Sequence, residues 1–332
     1  MQRKKKIIVV ALIMVLGTLI PAFSQNFLGD LQDNTNKFAD SLAKSLPFNS
    51  VIGLNWSDAY IGQLFGVPPH FGIGVSGGIT TMDYGVVEKL LGDFSVSMPF
   101  SLNRMIIPGY TVEVRIGGLI LPFDGGFKFG ILPGVNLRDN FKLDYTLVGG
   151  EIRYALLRGK GVLPKVSLGF GINYLAGGIR TSAGGKSFVF GTSPAHTLTL
   201  ENSELNLSWF TTTYDFKAQI SKSFFIITPY LGLGTSFAQS KAGYTVDSRL
   251  SYDGSPVSEV NQIIEDLKGA GISGIDFNDA EGFSSFHAIS GWGLRIFGGF
   301  SLNIAVLKLD FTGMYNFLDS NYGGSFGIRI QL

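Results

Sequence analysis

Residues 286–300 read FHAISGWGLRIFGGF, and this stretch decides the fold class. The even-numbered residues from Phe286 to Phe300 are mainly apolar or small, whereas His287, Arg295 and several glycines hold odd-numbered positions. Side chains two positions apart point to the same side of an extended strand. The stretch therefore predicts a long β-strand with one apolar face and one face of polar residues and glycines.

The same alternation recurs along the chain. Eleven segments are strand candidates: 51–64, 71–79, 110–117, 126–133, 141–157, 165–174, 214–221, 225–238, 286–301, 307–317 and 325–332. Bacterial membrane barrels have an even number of strands. We therefore expect about 12 strands, within a range of 10–14, and residues 94–100 and 243–252 are additional candidates.

The composition indicates a membrane barrel rather than a soluble sandwich. Glycine accounts for 45 of 332 residues, aromatic residues reach 13%, and charged residues are only 15%. No run of 18 apolar residues follows residue 20, so the hydropathy comes from alternation. Many candidate strands exceed the 5–6 residues common in soluble sheets. The expected fold is an all-β, antiparallel, up-and-down transmembrane β-barrel with short N-terminal and loop helices.

The N-terminus has the pattern of a secretory leader. Four basic residues at 3–6 precede an apolar run at 7–20, and Ala22 and Ser24 form a small-residue cleavage pattern. The apolar run is shorter than the roughly 20 residues of a spanning helix, which disfavours a retained anchor. We expect a signal peptide at 1–24, an N-terminal periplasmic or lumen-plug segment at 25–47, and the outer-membrane barrel at 48–332.

Cleavage after Ser24 would leave 22 Lys and Arg against 25 Asp and Glu, a net charge of −3. This balance argues against nucleic acid as a partner, which requires a concentrated basic patch. The chain contains no cysteine, which excludes disulfides and thiolate metal sites.

The segment before the expected barrel predicts an amphipathic helix at 34–46, which Pro47 would end. An apolar stripe along it gives the candidate plug residues, which we expect to enter or cap the periplasmic mouth of the lumen. They are Leu31, Phe38, Leu42 and Leu46. The alternative is a helix that lies on the inner surface of the membrane or is frayed in the periplasm. Two further helices are expected in loops, at 84–91 and at 256–268, the latter with Ser255 as its N-cap and Pro256 in its first turn.

Charged residues of both signs occupy the polar faces of the candidate strands. The candidate lumen-facing residues are Glu113, Arg115, Lys165, Asp215, Lys217, Arg295, Lys308, Asp310 and Arg329. Two interpretations stay open: a network of internal ion pairs that fixes the barrel, or a charged constriction that selects solutes.

No motif indicates catalysis, a cofactor or a metal. Some outer-membrane lipid-modifying enzymes place a serine two residues after a histidine on one strand, and none of the three histidines here is followed in that way. The histidines are also far apart in sequence and lack metal-binding spacing. We therefore expect no enzymatic activity, and a lipid-modifying enzyme ranks below the other functions considered.

The chain resembles bacterial outer-membrane β-barrels of the porin-like kind. The final strand, ending at 328–332, is similar to the signal read by the barrel-assembly machinery, although that signal usually ends in Phe and this chain ends in Leu332. The amphipathic segment before the barrel resembles the arrangement in long-chain fatty-acid transporters. The resemblance implies location in the outer membrane of a Gram-negative-type envelope, with lipid, the assembly machinery and hydrophobic small molecules as partners.

Loop lengths give an expected orientation. The turns at 158–161, 222–224 and 302–304 would be periplasmic, and the segments 178–205 and 241–283 would be outside. Two functions remain as hypotheses. One is passage of small or hydrophobic molecules across the outer membrane. The other is a structural or surface-interaction barrel with a filled lumen.

Overall fold

The structure of the protein is a computed structural model. It describes residues 33–34, 36–42, 44–65, 69–83, 104–138, 141–182, 188–193, 196–253, 255–256, 265, 276–277 and 282–332. Among these residues, no helix is both long and apolar enough to cross a membrane.

Ten antiparallel strands form a closed wall. They are β1 (Phe71–Asp83), β2 (Arg104–Gly117), β3 (Phe123–Arg138), β4 (Phe141–Arg158), β5 (Lys165–Ser182), β7 (His196–Ser221), β8 (Ile227–Tyr252), β11 (Gly282–Ile304), β12 (Leu307–Asn316) and β13 (Asn321–Gln331). Each pairs with the next wall strand along the chain, and β13 returns to β1 with Ile330 opposite Ile73. Three short strands, β6 (Phe188–Ser193), β9 (Ser255–Pro256) and β10 (Asp276–Phe277), extend this sheet.

The up-and-down antiparallel barrel is confirmed, but the expectation of about 12 strands is wrong, because the wall has ten. Residues 51–64 form no strand. The separate candidates 225–238 and 243–252 both lie largely within the single 26-residue strand β8. The candidate 94–100 and the helix expected at 84–91 lie outside the described residues. Ser255 and Pro256, expected to start a helix, form β9 instead.

The outward face of the wall carries an apolar belt. On β7 it runs from Ile220 through Phe216 to Phe210, all exposed side chains, while Glu204 is the exposed outward residue beyond it. Ten residue steps at about 3.3 Å cover about 33 Å along the strand. A tilt of about 40° reduces this to about 25 Å, the height of the apolar band on a membrane barrel. The belt is therefore the lipid-facing surface.

The two ends of the barrel differ. At the turn end, strands are joined by the short connections 118–122, 159–164, 222–226 and 305–306. The opposite end, called the loop end below, carries the long connections 84–103 and 253–281 and the β5–β7 connection that contains β6. The segments expected as outer loops, 178–205 and 241–283, overlap the wall: the first begins in β5 and ends in β7, and the second begins in β8 and ends in β11. The wall is taller on the side of β7 and β8, which have 26 residues each, than at β13, which has 11.

Helix α1 covers 33–50, apart from residues 35 and 43, which are not described. It is longer than the expected 34–46 and continues through Pro47 rather than ending there. A proline inside a helix costs about 3 kcal/mol. Leu46 and Phe48, on either side of Pro47, are fully buried inside the barrel, and we infer that their packing offsets this cost.

The chain passes down the lumen before the first strand begins. At the loop end, Asn321 Nδ2 donates to Ser45 Oγ at 3.1 Å. Towards the turn end, the backbone N–H of Ala59 donates to Ser221 Oγ at 2.9 Å, and that of Ile61 to Asp124 Oδ2 at 3.2 Å. The first wall strand then starts at Phe71. Residues 33–63, named the plug below, lie before the wall.

Candidate functional site

The loop-end half of the lumen is apolar, and so is the face that α1 presents to it. Phe38, Leu42 and Leu46, three of the candidate plug residues, are each at most 1% exposed. Leu31, the fourth, lies outside the described residues. The wall contributes inward, buried apolar side chains at this level: Leu143, Tyr145, Leu147, Leu175, Ile179, Leu205, Leu207, Trp209, Tyr244 and Val246. The helix therefore sits at the loop end of the lumen.

A second apolar cluster follows where the helix ends. Plug residues Phe48, Val51 and Ile52 pack with inward wall residues, namely Tyr230, Phe297 and Met314. Asn49 Nδ2 donates to Thr80 Oγ1 on β1 at 2.6 Å. These contacts join the C-terminal end of α1 to β8, β11, β12 and β1 of the wall.

The turn-end half of the lumen is charged, and its inward charged side chains are named the charged belt below. The structure places all nine candidate lumen-facing residues on inward faces: Glu113, Arg115, Lys165, Asp215, Lys217, Arg295, Lys308, Asp310 and Arg329. Lys165 and Lys308 keep 25% and 15% of their side-chain surface exposed, and the other seven are buried. Four more residues belong to the charged belt, although the sequence pattern does not identify them. They are Asp124, Lys128, Glu151 and Arg153.

The missed residues lie within or next to strand candidates whose faces the sequence pattern does not assign. Lys128 belongs to 126–133, while Glu151 and Arg153 belong to 141–157. On β4, inward residues such as Leu147 are as apolar as outward residues such as Ile152. Alternation fades where both faces of a strand are apolar, so the faces of these strands cannot be read from the pattern.

Wall charges on different strands pair with one another. Arg115 Nη1 and Arg153 Nε contact Asp124 Oδ1 at 2.6 and 2.8 Å. Arg115 also pairs with Glu151, and Lys217 Nζ lies 2.6 Å from Glu151 Oε2. These contacts link β2, β3, β4 and β7 into one ion-pair network. Removing one partner from such a buried network leaves an uncompensated charge, which is strongly destabilising.

A further pair extends from β7 to β11. Arg295 binds Asp215 through two hydrogen bonds, from Nη1 at 2.6 Å and from Nη2 at 2.9 Å. This bidentate geometry joins β11 to β7 across β8, and it is the stronger form of the guanidinium–carboxylate contact. Arg329 Nε lies 3.4 Å from Asp310 Oδ2 on the adjacent strand.

Asp58 of the plug is the centre of a three-cation site. Its carboxylate lies 2.8 Å from Lys165 Nζ, 2.6 Å from Lys308 Nζ and 3.2 Å from Arg329 Nη2. The three cations come from β5, β12 and β13, so one plug side chain ties three strands together. The sequence pattern does not point to Asp58 or its role, because it favours a strand over residues 51–64.

Trp56 fills the centre of the charged belt. Its indole Nε1 donates to Glu113 Oε2 at 2.7 Å, and the Arg329 guanidinium lies 4.5 Å from the ring centroid. Arg115 lies over the same ring at 5.4 Å. Gly72 on β1 makes room for the ring, since a Cβ there would come within 2.8 Å of it.

The plug backbone supplies acceptors to the basic wall. Lys128 Nζ donates to the carbonyls of Ser50 and Ile52 at 2.7 and 2.8 Å. Arg115 Nη2 donates to the carbonyl of Leu54 at 3.3 Å, and Arg153 Nη1 to that of Asp58 at 2.8 Å. These three cations thus find acceptors on the plug without a ladder of backbone hydrogen bonds between plug and wall.

Little space remains between plug and wall at this level. A void bounded by Asn55, Lys128 and Lys217, among others, has a volume of about 10 Å³. That is room for about one water. At the loop end, a cleft of about 320 Å³ lies between the polar face of α1 and Asp319. Burial raises the pKa of the Asp319 carboxyl, and the Lys44 ammonium opposes this shift.

The closed wall, the outward apolar belt and the charges confined to the lumen define the architecture. The fold is that of an outer-membrane β-barrel. Backbone closure leaves no free sheet edge in the lipid, as a membrane requires. Among the described residues, no group of three or more His, Cys, Asp and Glu is placed to hold a metal.

No protein-family model and no curated protein matches the chain. The barrel resembles the outer membrane protease OmpT from Escherichia coli at 6% identity, over 80% of this chain and 97% of that chain, with a TM-score of 0.42. A major outer membrane protein from Thermus thermophilus gives 10% identity, 78% and 99% coverage, and a TM-score of 0.31. A Pseudomonas aeruginosa FadL homologue is 6% identical over 79% of this chain and 90% of that chain, with a TM-score of 0.27. This likeness concerns the fold of the outer-membrane barrel and not its activity.

Proposed function

We propose that the protein is an outer-membrane barrel held closed by its own N-terminal segment, with a structural or surface-interaction role in this closed form. The carrying observation is that plug residues 45–61, together with Phe38 and Leu42, are buried in the lumen. Asp58 of this segment also pairs with three cations of the wall. A filled lumen disfavours the alternative of a permanently open diffusion pore. The charged belt also disfavours steady passage of hydrophobic molecules, because an apolar solute would have to displace ion-paired groups.

Conductance tests this proposal directly. Purified protein in planar lipid bilayers should show little ion current. A variant lacking residues 33–61 should show stepwise currents while keeping the heat-dependent gel mobility of a folded barrel. A wide-open wild-type protein would contradict the proposal, and so would a folded deletion variant that does not conduct.

A second candidate function is gated passage, in which the plug moves. It is favoured by the way the plug is held: residues 51–61 contribute no strand to the sheet and bind through side chains and single backbone groups. Such a segment can leave without breaking a backbone ladder of the wall. The structural role and the gated role differ in whether the plug leaves the lumen when a voltage is applied.

A reversible disulfide between plug and wall distinguishes the two roles. Ser57 Oγ donates to Ser301 Oγ at 2.7 Å, so Ser57→Cys with Ser301→Cys places two thiols in contact in a chain without native cysteine. If the plug gates the pore, openings induced by voltage in the wild-type protein should vanish in the oxidised double variant and return on reduction. Openings unaffected by oxidation would argue against gating by this segment.

A further inference from the structure

The charged belt of the lumen has an excess of basic residues. Eight basic side chains of the described wall face it: Arg115, Lys128, Arg153, Lys165, Lys217, Arg295, Lys308 and Arg329. Five acidic side chains oppose them: Glu113, Asp124, Glu151, Asp215 and Asp310. The wall alone therefore carries a net charge of +3 at this level.

The plug supplies the oxygen acceptors that these cations lack. Lys128, Arg115 and Arg153 donate to plug carbonyls. Lys165 and Lys308 contact the Asp58 carboxylate at 2.8 and 2.6 Å. When the plug is absent, the same donors face an empty lumen, and a mobile anion is the species that could satisfy them.

The site around Asp58 shows how the wall receives a carboxylate. Two ammonium groups and a guanidinium converge on it from three strands. Arg329 is 1% exposed, and its Nη1 has no hydrogen-bond partner among the described residues. A buried guanidinium with unused donor capacity favours an anionic ligand over a cation or a neutral solute.

We infer that the lumen, once the plug is out, conducts small anions in preference to cations, and that the site of the Asp58 carboxylate binds a free carboxylate such as acetate. This inference rests on the proposed function, because it requires that the plug is what closes the barrel. The Asp58 side chain stands in for the ligand in the closed state.

Selectivity is measured on the variant lacking residues 33–61, in a gradient of KCl. The reversal potential should have the sign of a chloride-preferring pore. Adding Lys165→Gln, Lys308→Gln and Arg329→Gln removes three of the eight basic charges and leaves a net charge of zero, so the chloride preference should disappear. The control changes Lys142→Gln, Arg180→Gln and Lys241→Gln, which are exposed on outward faces, and should leave the preference unchanged.

The outcomes separate the two claims. A folded deletion variant that does not conduct contradicts the proposed closure. A deletion variant that conducts potassium in preference to chloride overturns the inference and leaves the closure standing. Equal effects of the inner and outer triple substitutions also overturn it, because the lumen charge would then not set the selectivity.

The full-length chain gives an independent test of the carboxylate site. Asp58→Ala empties the site, and acetate should raise the urea midpoint of this variant more than that of the wild type. Asp144→Ala is the control, because Asp144 is partly exposed and its contact with Arg180 is long, at 3.7 Å. An Asp58→Ala variant that acetate stabilises no more than it stabilises the control would overturn the assignment of this site.

Discussion

At the scale of single residues, the most informative side chain is Trp56. It is 2% exposed, donates to Glu113 and lies under Arg329. Its position shows why the lumen needs more than charge pairing: a large flat ring separates cations that would otherwise repel one another. The side chain gains dispersion and cation–π energy at a desolvated site.

We expect Trp56→Ala to lower the free energy of unfolding by about 3–5 kcal/mol, the usual cost of deleting a buried aromatic ring. Trp292→Ala is the matched control, since Trp292 is exposed on the lipid side and should cost less. Urea unfolding in lipid vesicles measures both. If the two substitutions cost the same, Trp56 does not hold the plug in place.

The lipid face makes a second residue-scale prediction. Ile296 lies near the middle of the outward apolar stretch of β11, so Ile296→Arg should cost about 2–4 kcal/mol of folding free energy into vesicles. Leu309 lies two residues from the turn end of β12, so Leu309→Arg should cost only about 0–1 kcal/mol. The reverse order would show that the belt is placed wrongly along the strands. Thr312, by contrast, faces inward and is hydrogen-bonded to Tyr230.

At the scale of elements, the alternating strands could be predicted from the sequence, because lipid on one side and a polar lumen on the other enforce a period of two. The plug could not. Residues 51–61 are buried on every side, so Val51, Ile52, Leu54 and Trp56 carry no periodic signal that distinguishes a lumen segment from a strand.

The ion pairs were also beyond prediction in detail. The nine charged residues named from alternation do face the lumen, but which of them pair depends on strand tilt and register. Asp215 and Arg295 are 80 positions apart and lie on strands that are not neighbours in the sheet. Pairing across a lumen leaves no pattern in a single sequence.

The bend in the plug supplies the element-scale prediction. Gly53 has a φ of +84°, and a Cβ there would lie 2.4 Å from Thr111 Oγ1. Gly53→Val should therefore unseat the plug, raising bilayer conductance and costing about 1–3 kcal/mol of stability from backbone strain. Gly77→Val is the control, because a Cβ at Gly77 meets nothing within 4 Å. A Gly53→Val protein as closed as the control would exclude the bend as a requirement for closure.

At the scale of the whole molecule, the wall separates two environments that demand opposite surfaces. The belt excludes charge from the lipid, and the lumen collects it around the plug. The taller wall of β7, β8 and β11 carries the sheet beyond the belt at the loop end. Which end faces the outside therefore decides which parts of the molecule other cells, ligands or antibodies can reach.

The absence of cysteine allows this orientation to be read with single-cysteine variants. Arg249→Cys reports on the loop end and Lys160→Cys on the turn end, and both positions are exposed. Short turns are periplasmic in outer-membrane barrels. A membrane-impermeant maleimide should therefore label position 249 on intact cells and position 160 only after the outer membrane is broken. The opposite pattern would invert the barrel.

The same assay locates the beginning of the plug. α1 rises from Ser45, level with Asn321 at the loop end, to Asp33, and about twelve residues at 1.5 Å per residue place Asp33 about 18 Å further along the helix axis. A helix lying in the periplasm could not make the contact with Asn321. Asp33→Cys should therefore be labelled on intact cells together with Arg249→Cys, and its labelling should not rise when the outer membrane is broken. Labelling of position 33 only after breakage, with position 249 already labelled, would mean that the chain enters the lumen from the turn end, contrary to the path from Ser45 to Ile61.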